Sequence, residues 1–224
     1  YDDNGLVGID YIDSYLVTKN PHYLEKAKQV LTFILSGWDE NFEGAVSWLE
    51  GVKDQKPACS NGKAMVLALK LYEATKDEYY LEVGKKCYLW IDKFLNDPER
   101  GVVWNSWLTT TSAVCPDLYT YNTGTLLQAA VALYNYTGEQ AYLNNAKFLA
   151  EGSYKVFFKY TEEGIPYIAD LPWFNLVLFR GYHDLYNVTG DSKYVDTMIK
   201  GLDYAWDHAR DQAGLMYHDW TGRT

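Results

Sequence analysis

The sequence predicts an all-α fold built from helical hairpins, and three observations support this prediction. A phrase of the form Tyr-x-x-Thr, with a second Tyr eight residues after the first, occurs four times, starting at Tyr15, Tyr72, Tyr134 and Tyr186. Apolar residues before and after each phrase recur at helical spacing. Within each phrase, a Gly or Lys followed by a polar residue is typical of a chain that ends one helix and caps the next.

The first two hairpins are predicted at about residues 3 to 36 and 59 to 96. Apolar side chains follow the first corner at helical spacing, at Leu24, Ala27, Val30, Leu31 and Ile34. The second hairpin enters its corner with a similar apolar face, at Met65, Leu67, Ala68 and Leu71.

The last two hairpins are predicted at about residues 122 to 158 and 173 to 210. Leu126, Leu127, Ala130 and Leu133 form an apolar face that leads into the third corner. The fourth corner carries the same phrase, so we interpret each corner as the turn of an αα-hairpin.

The connections between hairpins are long and are the least helical parts of the sequence. They run from Gly37 to Ala58, from Asp97 to Tyr121 and from Tyr160 to Pro172, and they hold several Trp and Gly residues. Each leads from the end of one hairpin to the start of the next, so all of them are expected on one face. Loops of this length in a compact domain are usually functional.

Composition excludes some classes of partner. The 224 residues carry a net charge of -10, which leaves no basic surface to neutralise nucleic-acid phosphates or anionic lipids. No apolar run approaches the roughly 20 residues that a membrane span needs. Aromatic residues make up 17%, with 21 Tyr and 8 Trp against 8 Phe, and such side chains suit hydrated clefts.

Neither a disulfide framework nor a metal site is predicted. The three Cys residues show no Cys-x-x-Cys spacing, and no His residues stand at metal-ligand intervals. No cofactor is predicted, and none of the His residues, His218 included, is predicted to be catalytic.

Two adjacent carboxyl groups, Asp2 and Asp3, lie just before the first predicted helix, at the end of the hairpin where the long connections lie. A pair of carboxyl groups can divide the work of a nucleophile and a general acid. Helix capping is the alternative interpretation, since Asp is an ordinary N-cap residue.

Ser60 and Asn61 open the second hairpin at the same end. Either could contact a ligand, and either could cap the helix. Cys59 and Ser60 have no His or Asp nearby in the sequence to activate them, so a hydrolytic triad is not predicted.

The third and fourth hairpins also open with polar and aromatic residues, at Tyr119, Tyr121, Asn122, Asp170 and Trp173. Two turns into the fourth hairpin, Arg180 interrupts an apolar run, and a charge in such a place needs a partner or a ligand. Four such sets on one face are the arrangement expected of a carbohydrate cleft at one end of a helical toroid.

These clusters resemble glycoside hydrolase family 76, the bacterial and fungal α-1,6-mannanases. The similarity covers nearly the whole chain and follows the family's order. It is carried by Tyr1-Asp2-Asp3-Asn4, Ser36-Gly37-Trp38-Asp39, Ala58-Cys59-Ser60-Asn61, Tyr119-Thr120-Tyr121-Asn122-x-Gly124 and Phe179-Arg180-Gly181.

The resemblance implies a retaining, endo-acting enzyme that cleaves α-1,6-mannosidic bonds in mannan without a metal. Asp2 would be the nucleophile and Asp3 the general acid and base. The remaining site residues would hold sugar hydroxyls or stack on a sugar ring; they are Ser60, Asn61, Tyr119, Tyr121, Asn122, Asp170, Arg180, Trp48 and Trp173.

The resemblance also implies an (α/α)6 toroid, in which inner and outer helices alternate. Residues 1–224 would form a single catalytic domain with about four of six hairpins, so we expect one hairpin to be absent at each end. The protein would be a secreted, cell-surface or periplasmic monomer that binds α-mannan or manno-oligosaccharides, with no nucleic acid and no integral membrane contact.

The sequence departs from the family's pattern near its motifs, which affects the details of sugar binding. Gly5 and Leu6 follow Asn4, where a large residue such as Trp is usual in the family, and Thr123 stands where Gln is frequent. Three alternatives remain: an α-mannan transglycosylase, another (α/α)6 carbohydrate-active enzyme, and a non-catalytic glycan-binding helical repeat.

Overall fold

The computed structural model describes residues 1–217 and 219–220; His218 and residues 221–224 lie outside the described residues. Four helical hairpins follow one another along the chain, as predicted. Their helices are α1 (Asp2–Thr18) and α2 (Pro21–Leu35), α3 (Ala58–Thr75) and α4 (Glu78–Phe94), α5 (Thr120–Thr137) and α6 (Gln140–Phe157), and α7 (Pro172–Thr189) and α8 (Lys193–His208).

The first helix of each hairpin forms an inner layer and the second an outer layer. Within the inner layer α1 packs on α3, α3 on α5 and α5 on α7. Helices α3 and α5 are buried almost all round, whereas the outer helices bury only one face. This alternation of inner and outer helices is the architecture of an (α/α) toroid, and it confirms the predicted fold class.

The repeated phrase builds the same corner four times. The Tyr carbonyl accepts the N–H of a residue in the left-handed conformation at 2.8 Å, and this residue is Lys19, Lys76, Gly138 or Gly190. The Thr hydroxyl donates to the carbonyl four residues earlier and accepts the N–H two residues later, as Thr137 does with Leu133 and Glu139. The phrase is therefore structural, and the corners lie at the end of the inner helices opposite the connections.

The connections contain short strands that the sequence analysis did not predict. β1 (Gln55–Pro57), β2 (Trp104–Leu108) and β3 (Ala113–Leu118) form an antiparallel sheet in that order, with Lys56 opposite Trp107. β4 (Phe158–Tyr160) and β5 (Pro166–Ile168) form a second antiparallel pair. Because β1 and β2 belong to different connections, their pairing shows that these connections share one face, as predicted.

The inner helices approach one another closely where they carry glycine. A Cβ added at Gly124 of α5 would lie 2.6 Å from the backbone nitrogen of Leu178 in α7. The two backbones are thus almost in contact near the start of α5, which fixes the residues at that end of both helices.

Within the described residues, no helix is long and apolar enough to cross a bilayer.

Candidate active site

The N-terminal ends of α1, α3, α5 and α7 meet on the face that carries the connections. Asp2 is the first residue of α1 and Asp3 follows it, so both lie in the first turn of a helix. The free N–H groups of a first helical turn favour negative charge. Among the described residues, neither carboxylate accepts a hydrogen bond from a backbone N–H, so the structure does not support the capping interpretation.

Asp2 and Asp3 have different surroundings. The Lys63 ammonium donates to Oδ1 of Asp2, and the Lys63 side chain is only 3% exposed while that of Asp2 is 25% exposed. Asp3 is exposed and makes no ion pair with another described residue. One carboxylate is therefore held by a buried cation, and the other is free to meet a ligand.

Cys59 lies one turn before Lys63 on the same face of α3, beside Asp2. Burial raises the pKa of the Cys59 thiol to about 12, and the charge of Asp2 raises it further while Lys63 opposes the change. The thiol therefore stays protonated at neutral pH.

Three nearly parallel aromatic rings, which we call the aromatic stack, lie beside the carboxylates: Tyr119, Tyr121 and Trp173. The Tyr119 and Tyr121 centroids are 5.7 Å apart at 10°, and those of Tyr121 and Trp173 are 6.3 Å apart at 4°. Phe174 packs against the stack almost at right angles, with its ring centroid 4.4 Å from that of Tyr121 and an interplanar angle of 77°. Trp173 is 50% exposed, so the stack presents an aromatic face to solvent.

Tyr121 connects the stack to the carboxylates. The Lys63 ammonium lies 5.6 Å from the centroid of its ring. Burial raises the pKa of the Tyr121 hydroxyl, and Cys59 and Asp2 add to this shift. The hydroxyl therefore remains a hydrogen-bond donor near neutral pH.

Asp170 joins the starts of α5 and α7. Its Oδ2 accepts the Thr120 N–H at 2.9 Å and the Thr120 hydroxyl at 3.0 Å, and its Oδ1 accepts the Leu171 N–H at 2.8 Å. This half-buried carboxylate therefore positions Tyr119 and Tyr121 through the first turn of α5. Whether it also contacts a sugar stays a prediction.

The connection from residue 37 to residue 54, which we call the Trp48 loop, has an unusual backbone. Phe42, Glu43, Gly44 and Ala45 all have positive φ, which is unfavourable for the three that are not glycine. The buried Lys56 ammonium holds this conformation by donating to the carbonyls of Asp39 at 2.6 Å, Ala45 at 3.3 Å, and Gly44. Burial lowers the pKa of Lys56, and nearby Asp39 opposes the change.

Asn61 is fully buried, and its side chain is occupied by the protein. Its Oδ1 accepts the Val46 N–H at 2.7 Å, and its Nδ2 donates to the carbonyls of Val46 at 2.9 Å and Pro57 at 2.8 Å. The amide is thus occupied within the protein, and a bond from Asn61 to a sugar hydroxyl stays a prediction. Asn61 anchors the Trp48 loop to α3.

Asn61→Ala is expected to lower the free energy of unfolding by about 2 kcal/mol, because it leaves the buried N–H and C=O of Val46 without partners. Chemical denaturation measures the change. Asn187→Ala is the control, since Asn187 is exposed and bonds only to His183 among the described residues. Equal losses in the two variants would contradict the anchoring role.

Ser60 and Asn122 are also buried, and a contact between either of them and the substrate stays a prediction. Ser60 is 0% exposed and lies in the first turn of α3, where the N-cap residue is Pro57. Asn122 is 1% exposed and its Nδ2 donates to Asn105 at 3.5 Å. The Asn122 Oδ1 is buried without a hydrogen-bond partner among the described residues.

Trp48 and Arg180 have different positions relative to the carboxylates. Trp48 is partly exposed, and its carbonyl accepts a hydrogen bond from the Tyr1 nitrogen at 3.4 Å, next to Asp2. Arg180 lies two turns into α7 and makes no hydrogen bond with another described residue; its charge acts on Asp184, one turn further along. The structure thus brings the backbone of Trp48 to Tyr1 and shows no contact between Arg180 and either aspartate.

A groove of about 630 Å³ lies along α3, α5 and α7 towards the corners. Lys70, Glu73 and Asp184 line it, and none of the predicted site residues does. Burial raises the pKa of Asp184 to about 6.

In the part of the chain that the structure describes, no three His, Cys, Asp or Glu side chains are grouped to hold a metal ion.

Lys63 and Lys56 were missed by the sequence analysis. Lys63 follows Asn61 and Gly62 and precedes Ala64 and Met65 in a largely apolar helix. A charge in an apolar run was the signal that selected Arg180, and it applies equally to Lys63. Nothing in the local sequence indicates that Lys56 is buried, because its partners are backbone carbonyls of a distant loop.

The chain is similar to proteins that act on mannan. The solved structure of Bt3792, a glycoside hydrolase family 76 (mannosidase) from Bacteroides thetaiotaomicron, is 33% identical with a TM-score of 0.91, over 100% of this chain and 64% of that one. Mannan endo-1,6-alpha-mannosidase DFG5 of Candida albicans is 24% identical over 70% of this chain. The chain spans only 38% of DFG5.

A third similar protein has been solved as a variant that lacks two consecutive aspartates. An inactive variant of the α-1,6-mannanase GH76A of Salegentibacter, with two consecutive aspartates replaced by alanine, has been solved in complex with α-1,6-mannotetrose. It is 29% identical with a TM-score of 0.85, over 97% of this chain and 67% of that one.

The family assignment rests on the sequence as well as on these structures. The profile of glycosyl hydrolase family 76 matches residues 1–169, which is most of the chain and includes Asp2 and Asp3. The backbone fold of the chain matches those of the two solved relatives with TM-scores of 0.91 and 0.85. The chain belongs to glycosyl hydrolase family 76.

Proposed function

We propose that this chain is the catalytic region of an endo-acting glycoside hydrolase that cleaves α-1,6-mannosidic bonds in mannan with retention of configuration. The observation that carries the proposal is the pair Asp2 and Asp3 at the start of α1, beside an exposed aromatic stack. The inactive Salegentibacter variant, which lacks two consecutive aspartates and binds an α-1,6-linked tetrasaccharide, supports it.

Asp2 is the nucleophile in this proposal. The Lys63 ammonium holds its Oδ1 and stabilises the negative charge, which leaves the other carboxylate oxygen to attack the anomeric carbon. Its place in the first turn of α1 favours the same charge.

Asp3 is the general acid and base. It is exposed and has no cation partner among the described residues, so it is free to approach the leaving glycosidic oxygen, to which it gives a proton. Asp2 forms the bond to the anomeric carbon as the glycosidic bond breaks. Water then attacks this carbon, gives a proton to Asp3, and the electron pair of the ester bond returns to Asp2.

The aromatic stack and the Trp48 loop form the sugar-binding surface. The apolar face of a pyranose can lie on Trp173 or Trp48, and the Tyr119 and Tyr121 hydroxyls can bond to its hydroxyl groups. Arg180 and Asp170 stay proposed sugar contacts. Since mannan is an extracellular polymer, we place the enzyme outside the cytoplasm, as a secreted or surface-attached monomer.

The function is tested by incubating the full-length protein with linear α-1,6-mannan and with an α-1,2-branched mannan. Linear mannan should yield a series of oligosaccharides early in the digest, and NMR should show that the first products carry the α-anomer. Single mannose as the only early product would contradict endo action, and a β-anomer would contradict retention. Transfer is distinguished from hydrolysis by adding a manno-oligosaccharide acceptor and measuring product masses by mass spectrometry. Transfer gives products longer than the acceptor, whereas hydrolysis does not.

Trp173→Ala is expected to raise KM for mannan oligosaccharides about tenfold and to leave kcat within about threefold, because it removes stacking but no reacting group. Steady-state kinetics on an α-1,6-mannan oligosaccharide series measures both constants. Trp206→Ala is the matched control, since Trp206 is an exposed Trp on α8 that packs on Arg210. A fall in kcat with KM unchanged would contradict a binding role.

A further inference from the structure

Lys63 is a buried cation whose hydrogen bond goes to Asp2. Its side chain is 3% exposed, and the ammonium makes no hydrogen bond with any other described residue. Cys59 and the Tyr121 ring, which surround the rest of the ammonium, are uncharged at neutral pH. A buried ammonium is costly unless it is paired, so the carboxylate of Asp2 stabilises the buried charge of Lys63.

Gly5 makes this pairing possible. A Cβ at Gly5 would lie 2.6 Å from the Lys63 Cβ and 3.4 Å from its Cδ. Because Gly5 has no side chain, the methylene groups of Lys63 can lie against α1, one turn from Asp2.

The pairing has a consequence for the reaction, and this inference rests on the proposed function. In the free enzyme the carboxylate of Asp2 balances the ammonium. When Asp2 forms an ester with the sugar, its negative charge disappears and Lys63 is left as a buried cation without a counter-charge. When water breaks the ester, the charge returns to Asp2 opposite Lys63.

We propose that Lys63 is a positioning residue that acts through Asp2 and favours breakdown of the mannosyl-enzyme over its formation. Charge leaves Asp2 in the first step and develops on it in the second, so a fixed cation at Oδ1 slows the first and accelerates the second. Lys63 thereby keeps the population of the covalent intermediate low during turnover.

Lys63→Met tests the proposal, because it keeps an unbranched side chain and removes the charge. A dinitrophenyl α-1,6-mannobioside has a good leaving group, which makes formation of the mannosyl-enzyme faster than its breakdown. The initial burst of dinitrophenol therefore reports formation, and the later steady rate reports breakdown. We expect the steady rate to fall about tenfold while the burst rate stays equal or rises, as a lost charge-assisted hydrogen bond of this kind predicts. Mass spectrometry of acid-quenched enzyme should show more mannosyl adduct.

Two variants complete the test. Lys63→Arg retains the charge and should keep the steady rate within about threefold of wild type. Lys70→Met removes a similar ion pair from the same two helices, with Asp13 at 2.7 Å, and should leave both rates unchanged. A loss of burst and steady rates together in Lys63→Met would indicate structural damage and overturn the proposal, as would an unchanged steady rate.

Failure of the two hypotheses can be told apart. If wild-type protein cleaves neither mannan nor the aryl mannobioside, both the proposed function and the proposed role of Lys63 are wrong. If wild-type protein cleaves both but the adduct does not accumulate in Lys63→Met, only the role of Lys63 is wrong.

Discussion

Asp2→Asn is expected to reduce cleavage of linear α-1,6-mannan by at least about 10³-fold, because an amide cannot form the ester to the sugar. Asp3→Asn should cost about 10²- to 10⁴-fold, since it removes the proton donor but leaves the nucleophile. Initial rates of reducing-end formation measure both losses. Asp10→Asn is the control, because Asp10 is an exposed carboxylate on the same helix.

The roles of the two aspartates can be separated with azide and an activated aryl mannoside. In Asp3→Ala, azide can attack the mannosyl-enzyme and give α-mannosyl azide, because the configuration is inverted twice. In Asp2→Ala, azide takes the place of the carboxylate and gives the β-anomer. The opposite pair of products would exchange the roles of Asp2 and Asp3, and full activity in either variant would contradict the proposed mechanism.

Gly124→Ala is expected to lower the free energy of unfolding by about 4 kcal/mol, above the usual cost of overpacking, because backbone atoms cannot move aside as side chains do. The new Cβ would lie 2.6 Å from the nitrogen and 2.7 Å from the Cα of Leu178. Alanine gains about 1 kcal/mol over glycine in helix propensity, which is too little to offset this clash. Urea denaturation followed by circular dichroism measures the change.

Gly181→Ala at the same α5–α7 contact is the comparison. Its Cβ would lie 2.9 Å from side-chain atoms of Leu127, which can change rotamer. The loss should therefore be smaller, about 1 kcal/mol. Equal losses in the two variants would show that the backbones can separate, against the close approach described above.

The hairpins could be predicted from the sequence because each corner uses local interactions. The Thr hydroxyl bonds to a carbonyl four residues before it and an N–H two residues after it, so the signal lies within one short phrase. The predicted boundaries fall within two residues of the observed ones. The strands could not be predicted, because β1 has three residues and its pairing with β2 joins positions about 50 residues apart.

The site was predicted less completely than the fold. Asp2, Asp3, Tyr121 and Trp173 do meet at the starts of the inner helices. Asn61 was assigned to the substrate, because sequence alone does not show that its amide bonds to Val46, 15 residues earlier. Burial and long-range pairing decide which polar residues face the ligand and which hold the loops.

Lys56 gives the Trp48 loop a property that follows from covalent structure. Three carbonyls that converge on one positive centre are the arrangement with which many loops bind calcium. Here the positive centre is tethered to the main chain by four methylene groups. A chelator cannot extract it and dilution cannot remove it, so the conformation of the Trp48 loop does not depend on the calcium concentration.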